Sequence, residues 1–323
     1  MGLVCKIKKK CKTSFVNWKS DARFSKRYAN LRLKDTFYST LHSTKKSNRA
    51  FSEREQFLVS FLKETISDVI EKYRDLHQEG VYTPNAKIWI CWWTGLETAP
   101  PIVQQCINSI YKNAGSHPVI LITEDNYSQY ITVPELILKK MESKTMCLAH
   151  FADYLRVSLL EQYGGLWLDA TMFCSEPISE SYFELPFFTL KSPYRESRYA
   201  SKYQWVTFCL GGWQGNQFYS FIREAFETYW SKNDYAIDYL FFDYIILLAR
   251  ENCKYIRQLM DTVPENTPHR DDLQAAMNAA LPAEQFGNVI QQDTGLYKLS
   301  WRETYSKLTP EGQQSIYGYF LSL

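Results

Sequence analysis

From Ala86 onward, short apolar runs alternate with stretches of helical spacing, and the alternation predicts an α/β fold with a parallel sheet. KIWICWW (87–93) reads as a buried strand, 102–111 as a helix and PVILIT (118–123) as a second strand. A strand, helix, strand unit joins parallel neighbours. Helical spacing returns over 134–146 and 147–163, stops at Gly164-Gly165, and gives way to the apolar run LWL that ends on Asp169. Further strands are expected at 186–190 and 206–210, then a loop GGWQGN, helices over 216–230 and 235–250, and an irregular tail. Upstream, a helix is expected from Ser52, an N-cap with Glu55 three residues on, through Phe57, Phe61, Ile66, Val69, Ile70 and Tyr73 to Gly80. A weaker amphipathic pattern runs through Trp18, Phe24, Tyr28, Leu31, Leu33 and Phe37. The chain is therefore divided into a helical extension, 1–80, and an α/β domain, 81–323. Continuous apolar strands are covered by helices on both faces, which directs attention to the carboxyl ends of the strands, where Asp169 stands.

Composition narrows the class. With 323 residues, 45% of them apolar and 22% charged, the chain can bury a core without disulfide or metal staples. Its eight cysteines form no CxxC pair and keep no regular spacing to histidine, which argues against zinc and for a reducing compartment. No apolar run of about 18 residues could span a bilayer. The formal charge of +2 conceals an asymmetry: residues 1–50 hold 14 Lys and Arg against Asp21 and Asp35, a net of +12 that leaves −10 for the rest. Such an arm is attracted to anionic lipid at about 1 kcal/mol per basic side chain. Nucleic acid is the weaker partner, since no recognition motif accompanies the charge.

The segment HFADYLRVSLLEQYGGLWLDATMF (150–173) holds the densest chemistry. On a helical wheel Phe151, Leu155 and Leu159 share one face, while Asp153, Arg156, Val157 and Leu160 lie roughly opposite. Two opposite charges set among Val and Leu either point into a cleft or form a structural ion pair clamping the helix to the sheet. The double glycine lets this helix and Asp169 converge at one end of the sheet. The GGWQGN loop fits neither GxxxxGK nor GxGxxG, so it reads as a turn, with Trp213 as a candidate platform for sugar. His150 reads as a cap or a ligand-orienting group, and His269, in a polar loop beside Pro268 and Arg270, as an exposed residue or a further metal ligand.

Ala152-Asp153-Tyr154-Leu155-Arg156, then Tyr163-Gly164-Gly165, then Leu166-Trp167-Leu168-Asp169-Ala170-Thr171 resembles the core of the retaining sugar-nucleotide glycosyltransferases of family 32, above all the bacterial capsular polysaccharide synthesis proteins among them. The similarity runs upstream through IWICWWTG, APPIVQQCINSI and VILITEDNY and downstream to KLSWR, or about residues 86–302. It implies a GT-A-type nucleotide-sugar-binding fold, a Rossmann-like mixed sheet flanked by helices.

The resemblance also implies roles. Asp153 and Arg156 contact the donor sugar and its phosphate, Asp169 lies by metal and donor, Trp92 flanks the uracil, and Lys298 belongs to a tail segment that folds over the donor. Trp93, on the other side of its strand, is expected to pack. Thr171 stands where many relatives carry a second Asp, and a hydroxyl is a poorer ligand for a divalent cation than a carboxylate. Mn2+ or Mg2+ is the expected cofactor, held by Asp169 and Thr171 with Asp243, or Asp238, completing the shell. The expected reaction moves a hexose, galactose or glucose, from a UDP-sugar to a lipid-linked saccharide, at the cytoplasmic face of the plasma membrane with residues 1–50 on anionic headgroups. The alternatives are a protein-modifying effector transferase and a catalytically decayed scaffold.

Overall fold

A computed structural model of the chain describes residues 25–41, 43–281, 289–290 and 294–323. In chain order its main elements are α1 (Lys26–Thr40), α2 (Thr44–Thr65), α3 (Ser67–Tyr73), β1 (Ile88–Cys91), α4 (Pro101–Asn113), β2 (Val119–Ile122), α5 (Glu135–Glu142), α6 (Leu148–Tyr163), β3 (Gly165–Leu168), β4 (Met172–Cys174), β5 (Phe187–Thr189), β6 (Cys209–Gly212), α7 (Gln217–Lys232), α8 (Phe241–Asn252), α9 (Lys254–Thr262) and β7 (Leu296–Lys298). They group into two compact units: the described residues up to Leu76 with Val133–Tyr154 and Phe221–Lys254, and His77–Thr132 with Leu155–Ser220 and Tyr255–Leu323.

The first unit is helical. The Ser25 side chain accepts from the Tyr28 amide and starts α1. Against the expected start at Ser52, α2 begins eight residues earlier and leaves Ser52 exposed inside it. Phe51, Leu58 and Leu62 are buried along one stripe that opens before Ser52, and burying that stripe outweighs the capping signal. Trp18, Phe24 and half of the basic arm, residues 1–24 and 42, lie outside the described residues. Asp238 is buried here, accepting from the Tyr28 hydroxyl and pairing with Arg32 at 3.2 Å, so it ties the N-terminal helix to the segment before α8. None of the helices among the described residues is long and apolar enough to cross a membrane.

The second unit holds a five-stranded mixed sheet in the order β2-β1-β3-β6-β5. β1 pairs in parallel with β2 and with β3, as the strand, helix, strand pattern predicts, and β6 runs antiparallel to both β3 and β5. Helix α4 follows the expected spacing: Pro101 occupies its first turn, and Ile102, Val103, Cys106, Ile107 and Ile110 bury one face. They join Ile88, Ile90, Leu166 and Leu168 in the core. The mixed sheet with flanking helices and an N-terminal helical region is the α/β architecture expected of a GT-A-type fold. Sequence placed a strand at 206–210 and a loop from Gly211, whereas β6 includes Gly211 and Gly212, paired with Leu166 and Gly165. Glycine reads as loop, but here it lets the Pro186 carbonyl and the Tyr219 ring close on the sheet. A second, two-stranded ribbon joins β4 to β7 and appears nowhere in the hydrophobic pattern.

Candidate functional site

The site is assembled by backbone geometry at the carboxyl edge of β3. Helix α6 ends where the Gly164 amide donates to the Leu160 carbonyl at 2.9 Å and φ turns to +66°. β3 then runs beside β1, with Trp89 opposite Trp167, so that Asp169 and Trp92 emerge at the same edge of the sheet. The Asp169 amide donates to the Phe208 carbonyl at 2.9 Å, and the Met172 amide returns to the Asp169 carbonyl at 2.8 Å, turning the chain into β4. β7 lies antiparallel to β4 with Lys298 opposite Met172, and the Leu299 amide donates to the Thr171 carbonyl at 2.9 Å. Lys298 is thereby fixed beside the Asp-x-Thr motif although 129 residues separate it from Asp169.

Five side chains meet there. Arg156 Nη2 and Trp167 Nε1 both donate to Asp169 Oδ1 at 3.0 Å. Lys298 Nζ donates to Asp169 Oδ2 at 3.0 Å and to Thr171 Oγ1 at 2.7 Å. The Arg156 side chain is only 6% exposed and stacks its guanidinium 4.9 Å from the Trp167 ring, whereas Lys298 is 25% and Asp169 29% exposed. The third Lys298 N–H has no partner among the described residues.

Burial alone would raise the Asp169 carboxyl, but Lys298, then Arg156, and the hydrogen bonds from Trp167 and Lys298 outweigh it and hold the group at about 2. With an ordinary value of 3.8, its contribution to folding is complete above about pH 4 and is lost as pH falls through 2. In urea unfolding, wild type and Asp169→Asn should differ by a constant amount above about pH 4, and the gap should close between there and pH 2. A gap unchanged across that window would contradict the ion cluster.

Trp92 stands at the same edge, its ring 5.8 Å from Trp301 in an edge-to-face pair, and its Nε1 is buried with no hydrogen-bond partner among the described residues. Asp153 lies one turn before Arg156 in α6, half-buried, in the helical unit, where it acts on the buried His150. Asp243 is half-buried in the first turn of α8, and Asp238 is committed to Tyr28 and Arg32. His269 pairs with Asp272 at 2.8 Å on the surface, as its polar loop suggested. Trp93 packs 5.4 Å from Tyr127. Trp213 does not join the site. Gly212 pairs with Gly165, so Trp213 leaves the opposite end of β3 from Asp169, on the order of 13 Å away at about 3.3 Å per residue. Its indole donates to the Phe183 carbonyl and packs on Tyr82, which is a structural role.

Sequence reasoning missed three neighbours. Phe208 places its ring 4.7 Å from Lys298 Nζ and 6.0 Å from the buried Arg270 guanidinium, which in turn donates to Ser192 Oγ at 2.9 Å. The Arg270 carbonyl accepts from the Lys298 amide at 2.8 Å. The third is Trp167, hidden within an apolar run. In the helical unit the closeness of Cys147 to the buried His150 also went unread: desolvation would raise the thiol and lower the imidazole, yet their mutual attraction lowers Cys147 and raises His150.

The expected metal ligands do not assemble as a cation site. Asp169 and Thr171 offer one carboxylate and one hydroxyl, and an ammonium stands between them, whereas hard divalent cations take about six or more oxygen ligands. Among the described residues no group of three or more His, Cys, Asp or Glu, with Asp243 or otherwise, is placed to hold a metal.

None of the curated proteins matches the chain. Residues 39–320 match the family described as capsular polysaccharide synthesis protein, a span that starts at the end of α1 and takes in all of α2, the whole mixed sheet, and Arg156, Asp169, Thr171 and Lys298 alike. A match of that extent, over the segments whose residues built the edge just described, makes the chain a member of the capsular polysaccharide synthesis protein family.

Proposed function

We propose that the chain is a retaining glycosyltransferase of capsule synthesis that moves a hexose, galactose or glucose, from a UDP-sugar to a lipid-linked saccharide. The observation that carries this reading is the Arg156–Asp169–Lys298–Thr171 cluster at the carboxyl edge of parallel strands, where ligands of such sheets bind. A diphosphate leaving group gains negative charge as its bond to the sugar breaks, and preorganised cations aimed at it are worth the most where water is scarce. Lys298, with an N–H to give and partial exposure, suits that task, and Arg156 is held in place for it by Asp169. Asp169 positions the sugar hydroxyls, and Trp92 flanks the uracil.

In the transfer, the bond between the anomeric carbon and the phosphate oxygen breaks with its electron pair going to UDP. The acceptor hydroxyl oxygen bonds to the same face of that carbon, and its proton passes to the leaving phosphate oxygen. The sheet-bearing unit carries the transferase site, and the basic arm of residues 1–50 holds the chain to anionic headgroups at the cytoplasmic face of the membrane, where the acceptor lies.

A screen of UDP-sugars by release of free UDP tests the reading. UDP-galactose or UDP-glucose should give release that rises by about tenfold when a lipid extract is added, with radiolabel in the lipid fraction. Label in protein would move the acceptor class, and release from none of the donors would sink the proposal.

A further inference from the structure

The place between the first and third residues of the Asp-x-Thr motif is taken by a side chain of the protein itself. Lys298 Nζ lies 3.0 Å from Asp169 Oδ2 and 2.7 Å from Thr171 Oγ1. It is no stray surface lysine. Its backbone is locked by the β4–β7 ladder and by the bond to the Arg270 carbonyl, and the Phe208 ring lies 4.7 Å from the ammonium, a favourable seat for a cation. A divalent ion placed against the same two oxygens would meet an ammonium at contact distance, and two cations so close repel strongly in a partly buried site.

Resting on the transferase reading above, we propose that Lys298 is the built-in cation of this site and that the donor diphosphate is bound and neutralised without a divalent metal. Thr171 fits that arrangement for a physical reason. With a carboxylate at position 171 the ammonium would sit between two anions and its charge would be cancelled. With a hydroxyl there, Asp169 and Thr171 orient the ammonium while only one carboxylate opposes it, and its third N–H remains for a phosphate oxygen. The Asp-x-Thr sequence and the lysine of β7 are thus two halves of one device. During transfer the electron pair of the broken sugar–phosphate bond ends on the diphosphate beside Lys298 and Arg156, and the acceptor proton follows it. No metal-bound species takes part.

Two measurements on the full chain separate this inference from the reading on which it rests. The first uses Mn2+ alone, followed by its electron paramagnetic resonance signal. Wild type should leave about all of the Mn2+ free at about 100 μM, and Thr171→Asp/Lys298→Ala, which restores two carboxylates and removes the ammonium, should take it up. The second is calorimetric titration with UDP in EDTA and in Mn2+. Wild type should bind UDP within about twofold in the two conditions, and Lys298→Ala should lose about tenfold or more in both. Uptake of Mn2+ by wild type, or UDP affinity that rises about tenfold with Mn2+, would overturn the inference while leaving the transferase reading intact. Absence of UDP binding under every condition would instead remove the transferase reading and this inference with it.

Discussion

Gly165→Ala is expected to leave little folded protein. Gly165 sits at φ +99°, in the region that side chains rarely adopt, and a Cβ added there would lie 2.1 Å from the Lys87 carbonyl oxygen. The oxygen cannot step aside, because it accepts the Leu166 amide at 3.0 Å while the neighbouring Ile88 amide is held by the Pro118 carbonyl at 2.9 Å. Relief would require β1 and β3 to part at the register that places Trp92 and Asp169 on one edge. Backbone strain of about 1–2 kcal/mol would add to a clash among fixed main-chain atoms, for a total of about 4 kcal/mol or more. Domains have only about 5–15 kcal/mol in hand, so soluble yield and the urea midpoint should both collapse. Gly115→Ala separates the two causes. Gly115 has φ +61° but nothing within 4 Å of an added Cβ, so it should lose only the strain, about 1–2 kcal/mol. Equal losses at both glycines would mean that the close approach at Lys87 does not matter.

What could be read from the residues follows from how far apart the partners lie in the chain. β1, α4 and β2 were legible because their apolar positions repeat locally, with Ile102, Val103, Cys106, Ile107 and Ile110 marking one helical stripe. The α6–Gly164–Gly165–β3 passage was legible for the same reason, and it brings Arg156 to Asp169 across 13 residues. Arg270 and Phe208 were not legible. They reach the site through single backbone hydrogen bonds and a ribbon of three-residue strands, and three residues are too few to show a period of two. Lys298 entered only through resemblance, and nothing local to it foretells that its ammonium would sit on Thr171. Ser52 misled in the opposite direction: a good capping signal sat inside a stripe that was already buried. Trp213 misled because aromatic exposure cannot be read apart from strand direction, and the antiparallel run of β6 carries it to the wrong end.

Asp169→Ala is expected to lower kcat/KM for sugar transfer by about a thousandfold, or about 4 kcal/mol, and to cost folding stability as well. The two losses have different sources. On the proposed transferase reading, function falls because Arg156 and Lys298 are no longer held where the diphosphate would need them. Stability falls because cations keep their desolvation cost when their carboxylate is removed, and that cost depends on how well each can reach water. Arg156, 6% exposed and stacked on Trp167, cannot escape; Lys298, 25% exposed on a flexible stem, can swing outward. A double-mutant cycle in urea unfolding should therefore give a coupling of about 2–3 kcal/mol for Asp169 with Arg156 and about 1 kcal/mol or less for Asp169 with Lys298. Asp169→Asn sharpens the assignment. The amide keeps the volume and an acceptor for Trp167 Nε1 but removes the charge, so it should recover part of the lost stability and almost none of the lost UDP release. If Asp169→Asn restored turnover to near wild type, Asp169 would be a packing and hydrogen-bonding residue and not the charge around which the two cations are arranged.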